Sequence, residues 1–380
     1  MTQRPVTNEA IAVYVHFPWC VAKCPYCDFN SHPLKGSLDE AGYVDALLLD
    51  LEASLAQLDA EQPGRRSINS VFFGGGTPSL FAPRSFERLL LALEDRLAPG
   101  AEVTMEANPG TMEYSDFHGY RSAGVNRLSL GAQSFDSSML QTLGRIHSAT
   151  DTQTAFDKAR GAGFERINLD LMYALPQQSR SAAQTDLTTA LALQPDHLSW
   201  YQLTLEPRTE FYRRPPPLPS EAITEAIEQQ GRECLAQAGF ERYEVSAYAQ
   251  PEQRCAHNVN YWTFGDYLGV GAGAHGKVRS GKVITRTAKP RQPRLYLADP
   301  LVTTSQAIMP SALPAEFAMN ALRLCDGVTR TCYTERTGSP MSDLQEPWQR
   351  LIELGLMQQK RFAATDSGYQ LLDSLIAEFI

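Results

Sequence analysis

The first half of the chain alternates short apolar segments with longer segments whose apolar residues recur at helical spacing. The short segments have the length of β-strands, and the longer ones have an apolar stripe on one side. We predict helices over Tyr43–Leu58, Ser85–Leu97 and Ala182–Leu193. We predict strands over Ile11–Phe17, Ser70–Phe73, Glu102–Ala107, Arg127–Ala132, Arg166–Tyr173 and His197–Leu205.

This alternation predicts an α/β fold with a parallel sheet and right-handed crossovers. Six such units indicate a partial, TIM-like (β/α)6 barrel over residues 1–215, open rather than closed by eight strands. The proline-rich run 213–219 ends it, and Ser220 is expected to cap a helix running to about Ala238. We expect residues 216–309 to extend the barrel. Residues 310–380 are predicted to form a small, mainly helical domain of winged-helix type, with a hairpin-like stretch over Phe362–Leu371.

Composition and charge narrow the class of protein. With 43% hydrophobic and 20% charged residues, the chain can build a sizeable core. The formal charge of −9 argues against a nucleic-acid partner. No apolar run is long enough for a transmembrane segment, and the first ten residues lack the apolar core of a secretion signal. Seven cysteines without a disulfide-like pattern indicate a reducing compartment, so we expect a cytoplasmic protein.

Three cysteines, Cys20, Cys24 and Cys27, lie in one short loop directly after the first predicted strand. A C-x3-C-x2-C triplet suits zinc poorly, because structural zinc sites need four ligands. Three thiolates fit an iron–sulfur cluster in which one iron has no protein ligand and can bind a small molecule. The alternative is three ordinary thiols, but such cysteines are usually scattered among apolar residues.

Further polar or glycine-rich features follow the other predicted strands. The run Gly74-Gly75-Gly76-Thr77-Pro78 ends the second strand, and Glu106, Gln133 and Asp170 lie near the ends of the next three. Ligands of parallel α/β folds bind at the carboxyl ends of strands, so these groups should meet the cysteine loop. A single carboxylate at a strand end is as often a helix cap or a surface ion pair, and only the convergence favours a site.

The triplet, with the aromatic Tyr26 before its third cysteine, resembles the signature of the radical S-adenosylmethionine (SAM) superfamily. The resemblance implies a [4Fe-4S] cluster on Cys20, Cys24 and Cys27, with SAM bound to the fourth iron. It also implies a set of SAM-contacting residues that match the family pattern one by one. These are Tyr14, Tyr26, Gly75, Gly76, Thr77, Glu106, Gln133, Arg145 and Asp170.

Within that superfamily the chain resembles the subgroup that contains oxygen-independent coproporphyrinogen III dehydrogenase and the haem chaperone HemW. The likeness runs from about Tyr14 through Leu175 and resumes near the C-terminus. Two departures from the dehydrogenase favour the chaperone branch. Asp28-Phe29 follows Cys27 where the dehydrogenase has a further cysteine, and only thirteen residues precede Tyr14.

The second half contains two motifs of its own. His257-Asn258-Val259-Asn260-Tyr261-Trp262 resembles the HNxxYW motif of the HemW branch, which implies haem contacts from His257, Tyr261 and Trp262. Imidazole is a common haem ligand, although a buried turn would use the same residues structurally. The glycine-rich run 269–276 lacks the helix that a dinucleotide site needs, and a hairpin is predicted after it. We expect this run to form a wall of the site, with His275 as a second candidate.

The leading hypothesis is therefore a haem chaperone that binds a [4Fe-4S] cluster, SAM and haem and passes haem to an acceptor protein, which could be membrane-associated. We do not expect coproporphyrinogen dehydrogenase activity. The alternative is a radical SAM oxidoreductase that acts on a porphyrinogen propionate, like the dehydrogenase. The sequence identifies neither the acceptor nor the residue that ligates haem.

Overall fold

A long sheet organises the computed structural model, which describes residues 10–61, 65–110 and 117–380. The first nine residues, on which the absence of a secretion signal was predicted, lie outside the described ranges. The strands are β1 (Ala10–Phe17), β2 (Trp19–Cys20), β3 (His32–Pro33), β4 (Ser67–Gly75), β5 (Leu97–Ala107), β6 (Arg127–Gln133), β7 (Arg166–Tyr173), β8 (His197–Gln202), β9 (Glu241–Glu244), β10 (Ala247–Ala249), β11 (Tyr267–Val270), β12 (His275–Ser280), β13 (Val283–Ala288) and β14 (Thr304–Ala307).

Fifteen α-helices connect and cover these strands in the described ranges. They are α1 (Glu40–Glu61), α2 (Pro83–Leu91), α3 (Phe117–Ser122), α4 (Ser137–Thr142), α5 (Ala149–Gly161), α6 (Arg180–Ala192), α7 (Glu210–Arg213), α8 (Glu221–Gln237), α9 (Ala256–Trp262), α10 (Pro293–Ala298), α11 (Leu313–Ala321), α12 (Cys332–Thr337), α13 (Ser342–Glu353), α14 (Asp366–Tyr369) and α15 (Leu372–Ala377). None of these helices combines the length and hydropathy that a bilayer crossing requires.

The six predicted strands are β1, β4, β5, β6, β7 and β8, which lie side by side in that order and pair in parallel. This confirms the partial α/β barrel. The sheet continues beyond both ends of this set. Strand β11 pairs in parallel with β1 and leads into the antiparallel β12, β13 and β14, while β10 and β9 follow β8. The predicted hairpin after the glycine-rich run is β12–β13, with Ser280 opposite Val283.

Local sequence explains where several elements begin. Helix α5 starts with a capping box, in which Ser148 and Asp151 satisfy each other's backbone N–H groups. Helix α6 starts at Ser179, whose hydroxyl accepts from the Ala182 N–H. Helix α8 follows Ser220 as predicted, although that hydroxyl makes no capping hydrogen bond.

Two local predictions are wrong. The helix predicted over Ser85–Leu97 ends at Leu91, because Pro99 and Gly100 follow and Leu97 already belongs to β5. The stretch Phe362–Leu371 is not a hairpin throughout. Antiparallel bridges join Met357 to Ala364 and Val328 to Phe362, and Thr365 then caps helix α14 by accepting from the Gly368 N–H.

In the described ranges, two large hydrophobic cores lie on different parts of the chain, beside a small cluster around Leu143, Met172 and Phe211. One packs the barrel strands against α1, α2, α5, α6 and α8. The other is built by helices α11–α13 and α15 and takes in Phe264 and Ile284 from the preceding region. The same core contains Tyr243, Ala247 and Ala249 of β9 and β10, so the mainly helical C-terminal part packs against both ends of the sheet. The division of the chain at residues 215 and 309 stays a prediction.

Candidate functional site

The carboxyl ends of the barrel strands surround a cavity of about 410 Å³, which we call the cluster cavity. It is bordered by the cysteine loop, the ends of β4–β8 and the segment after α4. Of the residues predicted for the cluster and SAM, all but Tyr14 line it. They are Cys20, Cys24, Tyr26, Cys27, Gly75, Gly76, Thr77, Glu106, Gln133, Arg145 and Asp170.

The cysteine loop is fixed at both ends and within its turn. Strand β2 pairs with β3, and the Cys27 N–H donates to the Cys24 carbonyl over 3.2 Å. All three thiols are partly exposed, and burial raises the pKa of Cys20 and Cys27. Arg145 Nη1 lies 3.6 Å from Cys24 Sγ and supplies a positive charge beside a thiolate. The donor set therefore fits an iron–sulfur cluster, which is held by cysteine thiolates.

The thiols are not grouped around a single ion. No group of three or more His, Cys, Asp or Glu side chains in the described ranges is placed to hold one metal ion. A four-iron cluster has a different requirement, because each thiolate binds a different iron. This arrangement disfavours a zinc site on the triplet.

The glycine run 74–76 allows the end of β4 to approach the cysteine loop closely. Gly75 has φ +115°, a conformation that favours glycine, and its N–H donates to Glu106 Oε2 over 2.9 Å. A Cβ on Gly76 would lie 2.5 Å from the Trp19 carbonyl oxygen. The Thr77 N–H donates to that same oxygen over 2.7 Å, so backbone bonds join the run to the loop.

Two half-buried carboxyl groups, Glu106 and Asp170, line the cluster cavity. Burial raises the pKa of Glu106 to about 7, partly offset by the Gly75 N–H, with the charge of Asp170 raising it further. Burial also raises the pKa of Asp170, against hydrogen bonds from Ser199, Ser129 and Asn168. Glu106 can therefore hold a proton in the free protein near pH 7 and ionise when a cationic ligand arrives.

Gln133 and Arg145 are also held in place. Gln133 ends β6 with φ +66°, and the Tyr201 hydroxyl donates to its Oε1 over 2.7 Å. Arg145 Nη2 donates to the Gly131 carbonyl and to Asn108 Oδ1, while its buried Nε has no partner among the described residues. Tyr201 was not predicted as a site residue. Only its position near the end of β8, the sixth predicted strand, could have indicated it.

A second cavity of about 590 Å³ adjoins the first, and both are lined by Gly75 and Glu106. We call it the aromatic cavity, because Tyr14, Phe72, Tyr261, Trp262 and Tyr267 line it. The predicted SAM neighbour Tyr14 lies here and not in the cluster cavity. The remaining lining residues are mostly polar or cationic and include His16, Asn30, His275, Lys277, Arg286 and Arg291.

The structure separates the members of the HNxxYW motif. Tyr261 and Trp262 line the aromatic cavity, whereas His257 is 8% exposed and its Nδ1 donates to Glu102 Oε1 over 3.2 Å. The same oxygen accepts from the Ala256 N–H, so Glu102 serves as the acceptor at the start of α9. Burial would raise the pKa of Glu102, but His257 and the charge of Arg127 lower it to about 2.

The ring of Phe72 lies 4.1 Å from the His257 ring, centroid to centroid. Phe72 also lines the aromatic cavity, but His257 does not. His257 lies instead on a small polar cavity inside the barrel, of about 150 Å³. Tyr14, Tyr261 and Trp262 thus line the aromatic cavity, whereas His257 lines the neighbouring polar cavity, with its ring 6.5 Å from that of Tyr261.

Comparison with known proteins shows to which family the chain belongs. Residues 14–188 match the model of the radical SAM superfamily. The chain is 43% identical to the haem chaperone HemW of Escherichia coli (strain K12), over 97% of this chain and 98% of that protein. It is 42% identical to the haem chaperone HemW of Haemophilus influenzae, with the same shares covered.

The solved structure of coproporphyrinogen III oxidase (HemN) from Escherichia coli, described as a radical SAM enzyme, has the same fold. The TM-score is 0.80 at 21% identity, over 99% of this chain and 91% of that one. A likeness at this identity shows the fold alone. The full-length similarity to the HemW proteins goes further, and with the superfamily match it shows that the chain belongs to the HemW family of radical SAM proteins.

Proposed function

We propose that this protein is a haem chaperone that holds a [4Fe-4S] cluster, SAM and haem, and that it passes haem to an acceptor protein. Its HemW relatives are named haem chaperones. The observation that carries the proposal is the pair of adjoining cavities. One contains three thiols and two half-buried carboxyl groups, and the other contains six aromatic side chains and an excess of cationic groups.

In the cluster cavity Cys20, Cys24 and Cys27 would hold the cluster. When bound, such a cluster offers an open iron to a ligand and can exchange one electron. The neighbouring rim would orient SAM: the exposed backbone of Gly75 and Gly76 can approach it closely, and Glu106 and Asp170 can face its positive charges.

In the aromatic cavity the chemistry favours a flat, anionic macrocycle. Tyr261 and Tyr267 meet edge to face at 4.7 Å, while Tyr14 and Phe72 are stacked at 6.0 Å between centroids. Such rings present broad apolar surfaces with polar edges. The volume of about 590 Å³ lies within the range of about 300–1,000 Å³ that is usual for ligand pockets.

The shared wall of Gly75 and Glu106 would place haem next to the cluster cavity, where a one-electron exchange with haem iron is geometrically accessible. The acceptor protein, its association with a membrane and the cytoplasmic location belong to this proposal. Exposed His275 and Arg291 mark the side from which an acceptor would reach the haem.

The test is a haem titration of the anaerobically reconstituted protein, followed by Soret absorbance. We expect saturation near one haem per chain. A linear rise without saturation would mean nonspecific association and would overturn the proposal. A parallel incubation with coproporphyrinogen III under reducing, anaerobic conditions tests the oxidoreductase alternative, because conversion seen by chromatography would exclude a chaperone without dehydrogenase activity.

A further inference from the structure

We propose that His275 binds the haem iron and that Arg286 and Arg291 hold the haem carboxylates, an inference that rests on the proposed function. Two histidines, His16 and His275, line the aromatic cavity in the described part of the chain. The histidine of the HNxxYW motif is not one of them. Iron ligation therefore depends on which of these two imidazoles has a free nitrogen.

His16 has none. Its Nε2 lies 2.9 Å from the Asn30 carbonyl, which can only accept, so Nε2 carries the proton. Nδ1 then accepts from the Tyr14 hydroxyl over 2.8 Å. Both nitrogens are used within the protein, and burial lowers the pKa of His16 to about 4, so the ring stays neutral and hydrogen-bonded.

His275 is in the opposite situation. It is exposed at the start of β12, and its imidazole has no hydrogen-bond partner among the described residues. Burial and the charges of Arg286 and Arg291 lower its pKa, so the neutral ring with a lone pair is the dominant form near pH 7. A neutral imidazole is the form that ligates haem iron.

The backbone around His275 is placed by close approaches that only glycine allows. A Cβ on Gly269 would lie 2.0 Å from the His275 carbonyl oxygen, and one on Gly273 would lie 2.2 Å from Asn30 Nδ2. The Lys289 N–H donates to the Ala274 carbonyl over 2.9 Å and fixes the other side of the turn. The glycine-rich run therefore holds His275 at the mouth of the aromatic cavity.

The cationic side chains beside His275 differ in how many ion pairs and hydrogen bonds they already form within the protein. Lys277 is committed, because its Nζ donates to the Phe264 carbonyl and lies 3.6 Å from Asp266. Arg286 is partly engaged, because it pairs with Glu316 and lies against the Tyr267 side chain. Arg291 forms no ion pair within the described ranges, and its Nε lies 3.4 Å from Asn30 Oδ1.

Arg286 and Arg291 thus offer guanidinium donors to carboxylates on a protein whose overall charge is −9. Cationic side chains that are not fully paired within the protein indicate that an anionic ligand completes the cavity.

The test compares haem binding by the wild type, His275→Ala, His257→Asn and the control His118→Ala, which is exposed on α3. His257→Asn retains a donor toward Glu102, so that the start of α9 is preserved. We expect His275→Ala to lose the histidine-ligated Soret and EPR signature and to bind haem about tenfold or more weakly, the scale typical when support for a metal site is lost. Added imidazole should restore the spectrum. The other two variants should match the wild type.

An unchanged spectrum and affinity in His275→Ala, with wild-type protein that saturates, would overturn this inference alone. The same change in His257→Asn instead would return the ligand to the motif histidine. A wild type that does not saturate would overturn the proposed function, and the ligand assignment with it.

The carboxylate contacts have a separate test, which uses the dimethyl ester of the haem as probe. We expect the wild type to bind the ester more weakly than haem and Arg291→Gln to show a smaller difference between the two. Arg330→Gln, at an exposed arginine stacked on Trp348, is the control. Equal affinity of the wild type for haem and ester would overturn the role of the arginines.

Discussion

The cluster cavity and the aromatic cavity share a wall but are built in different ways. Apart from Arg145, which follows α4, the predicted residues of the first lie near strand ends or in the cysteine loop after β1, so the parallel sheet largely assembles it. The second joins β1 and β4 to α9 and the β11–β13 region, about 200 residues later in the chain. One cavity follows from the topology of the sheet, whereas the other depends on particular long-range contacts.

Those contacts centre on two polar side chains. Asn30 Nδ2, in the cysteine loop, donates to the carbonyls of Ala272 and Arg291 over 2.9 and 3.0 Å. Asp50 on α1 is fully buried, pairs with Lys289 over 2.5 Å and accepts from the Gly271 N–H over 3.1 Å. Breaking these contacts should therefore affect the aromatic cavity, whereas replacing a cysteine of the triplet should affect the cluster cavity.

Cys24→Ser should have the largest effect and should be confined to the cluster cavity. A serine hydroxyl is a poor ligand for cluster iron, so iron and sulfide content and visible cluster absorbance should fall to near zero. Haem should still saturate, because no residue of the aromatic cavity changes. Cys234→Ser, at a half-buried thiol on α8, should retain the cluster. A folded Cys24→Ser protein that keeps its cluster would refute the ligand assignment.

Asp50→Ala should affect the aromatic cavity and overall stability. It leaves Lys289 buried without its carboxylate and removes the acceptor of the Gly271 N–H and the Tyr296 hydroxyl. Breaking one side of a buried ion pair costs about 3–5 kcal/mol, measurable by urea unfolding. We also expect weaker haem binding, with cluster content per folded protein retained.

The matched control is Asp45→Ala, on the same helix. Asp45 pairs with Arg88 over 2.7 Å, but the two side chains are 61% and 45% exposed. An exposed pair contributes about 0–1 kcal/mol, so the free energy of unfolding should change little. Equal losses in the two variants would show that Asp50 has no special role.

These differences explain what the sequence could predict. The parallel strands and the rim residues were found because strand ends of a parallel sheet meet at one edge, so position along the chain implies position in space. Tyr14, which the resemblance assigns to SAM, faces the same side of β1 as His16 and lines the aromatic cavity, and its contact with SAM stays a prediction. No local pattern shows which cavity a strand face borders.

His257 illustrates a second limit. The motif places it near Tyr261 and Trp262, but its partner Glu102 is 155 residues away on β5. The cavity-lining Phe72, on β4, also packs against its ring. Such contacts arise from tertiary packing, and spacing along the chain does not reveal them. Arg286, Arg291 and Asn30 escaped prediction for the same reason, while the glycine-rich run with His275 was recognised because close backbone approach leaves a signal in composition.

Glu106→Gln should have the smallest effect and tests the wall between the cavities. The pKa of Glu106 is raised from 4.5 to about 7, so folding takes up a proton there between these pH values. Wild-type stability should therefore fall as pH rises from about 4.5 through about 7, whereas the glutamine variant lacks this contribution. At about 1.4 kcal/mol per pKa unit, the variant should gain at most about 3.5 kcal/mol over the wild type above pH 7.

The measurement is urea unfolding of both proteins at about pH 5 and about pH 8, with Glu94→Gln, at an exposed carboxyl group, as the control. That control should stay within about 0.5 kcal/mol of the wild type at both pH values. The affinities for SAM and haem then test the two cavities separately. The cationic SAM gains from an ionised Glu106 and should bind the glutamine variant more weakly at about pH 8. Haem, which meets the wall from the aromatic side, should be affected far less. If both ligands lose affinity equally, the two cavities act as one site.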